Sequence, residues 1–296
     1  MYKNIPIQAI RRTPFNANDF AADILRLDLI HPVVSGNKWF KLKYHFAEAG
    51  RLGKTGLLSF GGSYSNHLVA LAHTARQAGL PAVAVVRGEE PPVYSPALRQ
   101  IKEDGADLVF VSRKTYGNKA ALLSRMRLEY PGHYIIPEGG QSSLGVRGAA
   151  EILESVPGHY SHILCAVGTG TTLAGLANAA KPHQRVIGIA VLKISDPLHN
   201  SLLTFTGTHA PVANLSILYD YHFGGYAKKN AALIRFMNEL YHNESIPTDF
   251  VYTGKSFYAA YDLARNHYFP PASHLLIIHT GGLQGNRSLP PGTLEF

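Results

Sequence analysis

With 296 residues, 46% of them hydrophobic, the chain can bury a substantial core and makes one large domain or two smaller ones. The formal charge of +8 invites a nucleic-acid partner, but the 28 basic residues are scattered and no helix-turn-helix or zinc-finger spacing occurs, which leaves attraction for anionic small molecules. The single cysteine, Cys165, excludes an intramolecular disulfide and a cysteine-rich metal site, and it sits in an apolar run that suits a buried, inert thiol. Met1 to Pro6 carries no apolar signal core and no window approaches about 18 uncharged apolar residues, so a soluble, cytoplasmic protein without a membrane partner is expected.

Residues 1–34 read as irregular, broken by Pro6, Pro14 and Pro32, with one alternating strand over 24–29. Gly36 ends that extended run, and Phe40, Leu42 and Tyr44 lead into a helix whose first turn carries Lys38. A lysine there meets the positive end of the helix dipole, so partial desolvation would lower its pKa and make it a nucleophilic amine able to form a Schiff base. Lys41, three residues on, projects from the same face. A solvated basic helix start is the plain alternative.

A regular alternation follows. Strands are expected at 56–60, 82–86, 107–111 and 134–136, with helices from Leu68 to Gly79, near 95–103 and near 118–129. A second series starts after Gly139-Gly140: a helix near 144–154, a strand at 163–167, a helix through Leu173 and Ala180, and a strand at 185–192. Residues 193–226 read as loop-rich, followed by helices near 228–241 and 256–266 and a strand at 274–278. Strands alternating with helices imply right-handed crossovers and parallel sheets. The expected architecture is α/β, two three-layer lobes with ligands at the carboxyl ends of the strands. One lobe takes residues 1–46 with 145–296, and a smaller one takes 47–144.

Four strands run into glycine-rich turns. Gly168-Thr169-Gly170-Thr171-Thr172 opens a helix, the setting in which backbone N–H groups and hydroxyls bind a phosphate. It is not a P-loop, and Leu173 at the third glycine position together with Lys193 at a strand end breaks the dinucleotide fingerprint. A single phosphate monoester fits better; a helix cap with two threonines is the alternative. Gly61-Gly62-Ser63-Tyr64-Ser65-Asn66-His67 would project Ser65, Asn66 and His67 from a helix N-terminus, which suits a carboxylate. A Ser-His-Asp hydrolase is disfavoured, because Ser65 and His67 point to different helix faces and no G-x-S-x-G elbow exists. Pro137-Glu138-Gly139-Gly140 and Thr280-Gly281-Gly282 complete the set.

Taken with Ser35-Gly36-Asn37-Lys38, Gly145-Val146-Arg147-Gly148 and Val251-Tyr252-Thr253-Gly254-Lys255, these motifs resemble, in this order, the 1-aminocyclopropane-1-carboxylate deaminase/D-cysteine desulfhydrase family, which has the tryptophan-synthase-β-like fold. The resemblance spans nearly the whole chain. It implies pyridoxal 5'-phosphate as cofactor, held as a Schiff base by Lys38, which later moves the Cα proton. Lys41 with Gly168, Thr169, Gly170, Thr171 and Thr172 would hold the phosphate, Asn66 the 3-oxygen, and Thr253 the ring nitrogen. Ser65, Asn66 and His67 would meet the substrate, with Lys38, Ser65, Tyr226 and Tyr252 as the catalytic set. A homodimer is implied in the same way, and no metal.

The chain departs from the family at Phe40-Lys41-Leu42-Lys43, where Arg-Lys-Leu-Glu is usual, and an expected asparagine is missing near Val93-Tyr94-Ser95. Thr253 and Thr280 stand where the cyclopropane-opening enzymes carry glutamate and leucine, which resembles the desulfhydrase pattern. The expected activity is therefore D-cysteine to pyruvate, ammonia and sulfide. Cyclopropane ring opening, D-serine dehydration or racemisation, and a catalytically idle cofactor-binding protein are the alternatives, and a nicotinamide oxidoreductase is disfavoured by the broken fingerprint.

Overall fold

The apolar runs read as buried strands form parallel ladders in the computed structural model, which describes residues 5–12, 14–15, 20–193 and 214–296. Among these residues the strands fall into two sheets. The smaller is contiguous in sequence: β3 (Gly56–Gly61), β4 (Ala82–Arg87), β5 (Asp107–Val111) and β6 (His133–Ile135) lie in the order β5-β4-β3-β6, all parallel. The larger joins distant parts of the chain in the order β1-β2-β10-β7-β8-β9: β1 (Ile7–Ala9), β2 (Ala21–Arg26), β7 (His162–Val167), β8 (Arg185–Ala190), β9 (Leu215–Leu218) and β10 (His274–His279). Only the edge strand β1 is antiparallel, pairing Ile7 with Leu25.

Helices cover both sheets. They are α1 (Asn37–Arg51), α2 (Asn66–Gln77), α3 (Pro96–Glu103), α4 (Arg113–Gly117), α5 (Lys119–Glu129), α6 (Ser143–Ala150), α7 (Thr171–Ala179), α8 (Ala231–Glu244) and α9 (Thr253–Arg265). Most start where the sequence supplies an oxygen to cap a free N–H: Ser65, Ser95, Ser142 and Asn230 accept from Leu68, Leu98, Gly145 and Leu233. Helix α1 is shared between the sheets, burying Phe40 in a cluster with β7 and β10 residues and Leu42 and Ala49 in one with β3 and α2. Lobes divided at 46/47 and 144/145 are a proposal that this shared helix tempers. Its first turn is thereby held where the two sheets face each other.

Several elements differ from the sequence reading. The strand expected over 24–29 ends at Arg26, because Arg26 turns its guanidinium onto Asp28, Nη2 to Oδ2 2.6 Å, and residues 27–29 curl into a 3-10 turn. The helix expected near 118–129 is present as Lys119–Glu129, capped by Asn118 accepting from Ala121 N–H, and a short helix the sequence reading did not include, Arg113–Gly117, precedes it. The stretch 193–226 holds the strand β9; residues 194–213 lie outside those described. Among the described residues no helix is long and apolar enough to cross a membrane. Cys165 is fully buried in β7, and desolvation pushes its thiol up to about 12.

Candidate functional site

The carboxyl ends of both sheets face a cavity of about 370 Å³, large enough for a cofactor-sized ligand. Its wall is made by the first turns of α1, α2 and α7 with the turn after β10. Three of these turns follow parallel strands, where the chain must reverse and backbone N–H groups are unpaired.

Lys38 stands on the first turn of α1, and its Nζ donates to Asn37 Oδ1 at 2.7 Å. Asn37 in turn donates from Nδ2 to Thr172 Oγ1 at 2.8 Å, so the lysine turn is tied to the start of α7. Burial lowers the Lys38 ammonium to about 8, against an opposing pull from the buried carboxylate of Asp249. Lys41 is buried one turn on, and desolvation, then repulsion from Lys38, holds it well below the usual lysine range. An amine with a pKa of about 8 is a free nucleophile above that pH. The rate at which the apoprotein covalently captures pyridoxal phosphate should therefore rise about tenfold per unit up to roughly pH 8 and level off above it. Stopped-flow absorbance between about pH 6 and 10 measures this; a flat profile would show that Lys38 is not the limiting amine.

At the start of α7, Gly168, Thr169, Gly170 and Thr172 reach the cavity. Gly170 is the cap, in the left-handed region at φ +82, and no side chain caps the free N–H groups of the first turn that follows it. Thr171 is buried with its Oγ1 3.1 Å from Thr169 Oγ1, and does not line the wall. Gly170→Val should weaken cofactor binding by at least about tenfold, through left-handed strain and a blocked backbone approach, while the exposed Thr115→Val leaves it unchanged. Fluorescence titration with pyridoxal phosphate compares the two; equal affinities contradict the anion cup.

Ser65, Asn66 and His67 are brought to the opposite wall. Asn66 Nδ2 faces Gly282 O at 3.4 Å, leaving Oδ1 buried without a partner. Tyr252 and Tyr226 meet edge to face with ring centroids 6.3 Å apart, and Tyr226 at the mouth is 49% exposed. Burial, followed by the neighbouring Tyr226 and Asp249, keeps the Tyr252 hydroxyl protonated well above its usual range.

Thr253 differs from the expectation. Its hydroxyl donates to Asp249 Oδ1 at 2.7 Å and accepts from Asp249 N at 2.8 Å, and the residue is fully buried one layer behind the wall. Asp249, which also accepts from the N–H groups of Val251, Tyr252 and Thr253, is the true cap of α9. The threonine that does reach the cavity is Thr280. Sequence reading also passed over Arg87, which lines the cavity from the carboxyl end of β4; the strand-end rule alone could have flagged it. Lys255, buried without a carboxylate, donates to the carbonyls of Val191, His222 and Gly225 and so pins the segment carrying Tyr226.

A half-buried lysine facing a helix N-terminus, with orphaned acceptors opposite, suits a phosphorylated aldehyde, and residues 7–281 match the pyridoxal-phosphate dependent enzymes: the chain belongs to that family. Within it, the chain is 32% identical to a Thermotoga maritima protein named "Putative 1-aminocyclopropane-1-carboxylate deaminase", over 96% of this chain and 95% of that one. It is 29% identical to a D-cysteine desulfhydrase of Yersinia pestis, over 88% and 86%. A crystal structure described as an ACC deaminase homologue superposes with a TM-score of 0.82 at 28% identity, covering 96% of this chain and 90% of that one. The cofactor is pyridoxal phosphate, and the two facing α/β sheets are those of this fold.

Proposed function

We propose that the protein is a pyridoxal-phosphate dependent lyase for a small amino acid, with D-cysteine as substrate and pyruvate, ammonia and sulfide as products. The observation that carries this is the juxtaposition of Lys38, the α7 N-terminus and the hydroxyls of Ser65, Tyr226, Tyr252 and Thr280 around one cavity. When bound, the cofactor supplies an electron sink for charge developing at the substrate Cα. Lys38 holds it and moves the Cα proton, the N–H groups after Gly170 and the Lys41 side chain hold its phosphate, and Asn66 orients its ring. Ser65, whose Oγ accepts from Leu68 N–H and keeps its own proton, can donate to the substrate carboxylate or reacting carbon.

Thr280, which puts a hydroxyl into the wall where the cyclopropane-opening enzymes carry leucine, supports the desulfhydrase reading. The resemblance to proteins named for cyclopropane deamination supports ring opening as the second reading. Purified enzyme should release sulfide and pyruvate from D-cysteine and little or no 2-oxobutanoate from 1-aminocyclopropane-1-carboxylate, with D-serine in the same panel. Efficient ring opening with no sulfide from D-cysteine selects the second reading.

A further inference from the structure

His67 lines the cavity, and one of its ring nitrogens is turned onto the β3 strand. Its Nε2 lies 2.8 Å from the hydroxyl oxygen of Ser59, and that same hydroxyl lies 2.8 Å from the carbonyl oxygen of Ile136. Ser59 is fully buried and has one hydrogen to give. Were it given to Nε2, the Ser59 and Ile136 oxygens would face each other at 2.8 Å with no proton between them. The hydrogen therefore belongs to Ile136, Ser59 offers a lone pair to the ring, and Nε2 must carry a proton.

The other nitrogen follows by elimination. His67 is 3% exposed, and the imidazolium form is opposed first by burial and then by the nearby Lys41, Lys38 and His45. A neutral ring protonated at Nε2 has a bare lone pair at Nδ1, and this atom is buried with no partner among the described residues. Asn66 Oδ1 is a second orphaned acceptor on the adjacent residue. A buried acceptor without a donor is costly, so these two orphans point to a donor supplied from outside the described residues.

We propose that Ser59 is a positioning residue that fixes His67 as its Nε2–H tautomer, so that Nδ1 acts in the cavity wall as an acceptor for an N–H, O–H or S–H group of the bound amino acid. The ligand half of this rests on the functional reading above; the tautomer half does not. It revises the expected contact of His67 with a substrate carboxylate, because a lone pair facing a carboxylate repels it. Amino acids whose ammonium or side-chain thiol or hydroxyl can reach Nδ1 are favoured over those carrying only hydrocarbon there.

The test is a side-chain ¹⁵N–¹H correlation spectrum of the full chain loaded with pyridoxal phosphate, with His67→Gln used to assign the ring. A proton on Nε2, a bare Nδ1 and no imidazolium between about pH 6 and 8.5 are expected. A proton on Nδ1, or a charged ring in that range, overturns the proposal on the wild-type protein alone. Ser59→Ala should give comparable populations of both tautomers, and Ser59→Thr, which keeps the hydroxyl, should restore one; an unchanged tautomer in Ser59→Ala shows that Ser59 does not set it. D-serine, D-cysteine and D-alanine are then added, binding being read from the cofactor absorbance. Any that binds through its donors should shift the Nδ1 resonance, and binding by all three with no shift refutes the acceptor role. If none binds, the functional reading fails and the ligand half falls with it, while the first spectrum still decides the tautomer.

Discussion

Lys38→Ala is expected to lower turnover by about 10³-fold or more, the scale of losing a positioned proton-transfer group together with a covalent anchor. Lys38 combines an amine lowered to about 8 with a tether, through Asn37, to the anion-binding turn at Thr172. Lys41 shares the helix but is buried deeper, with its stem beside Gly140. Borohydride reduction followed by denaturation and mass spectrometry should leave cofactor on the wild type and on Lys41→Ala, and none on Lys38→Ala. Cofactor fixed to Lys41 in the Lys38 variant would move the anchor to the second lysine.

Gly36→Ala should cost roughly 3–5 kcal/mol and lower the melting temperature by on the order of 10 °C. Gly36 is in the left-handed region at φ +72, and a Cβ built on it would lie 1.9 Å from the carbonyl oxygen of Thr280 and 2.5 Å from its carbon. Neither side can yield. The Gly36 N–H is bonded to Leu27 O at 2.8 Å, and the next N–H, from Asn37, donates to that same Thr280 carbonyl at 3.2 Å. Gly53→Ala is the control: φ is +61 but nothing lies within 4 Å, so only the left-handed penalty of about 1 kcal/mol applies. Thermal melts that lose the same amount in both variants would show that the contact with Thr280 carries no weight.

The alternation of strands and helices was legible because strands buried on both faces are continuous apolar runs, as in β3, β4, β7 and β10. The edges were not. Ile7–Ala9 is three residues long with Ile7 37% exposed, and Leu215–Leu218 is half-buried throughout, so neither carries the composition of a core strand. In the site, Lys38, Ser65, Asn66 and the turn after Gly168 could be read because each lies beside a glycine that ends a strand or opens a helix. What escaped was whatever depends on partners far along the chain. Ser59 beside His67 becomes meaningful only when Ile136 closes over it, and Lys255 looks like a surface cation until three carbonyls from residues 191, 222 and 225 surround it. Thr253 belongs with them: nothing local shows that Asp249 claims its hydroxyl.

The order of strands in the larger sheet carries a consequence for how the protein is made. Strand β10 lies between β2 and β7, pairing His274 with Ala21 and Leu275 with His162. The smaller sheet, by contrast, is complete once β6 has been synthesised. A ribosome adding about 5–20 residues per second needs roughly 7–30 s to pass from the end of β6 to the start of β10. During that interval β2 and β7 have no neighbour between them, and the turn that receives Gly36 does not yet exist. The nascent chain therefore carries the strands of a complete small sheet beside a larger sheet whose central strand is still missing, and the turn after β10 that closes the cavity is among the last parts to be made.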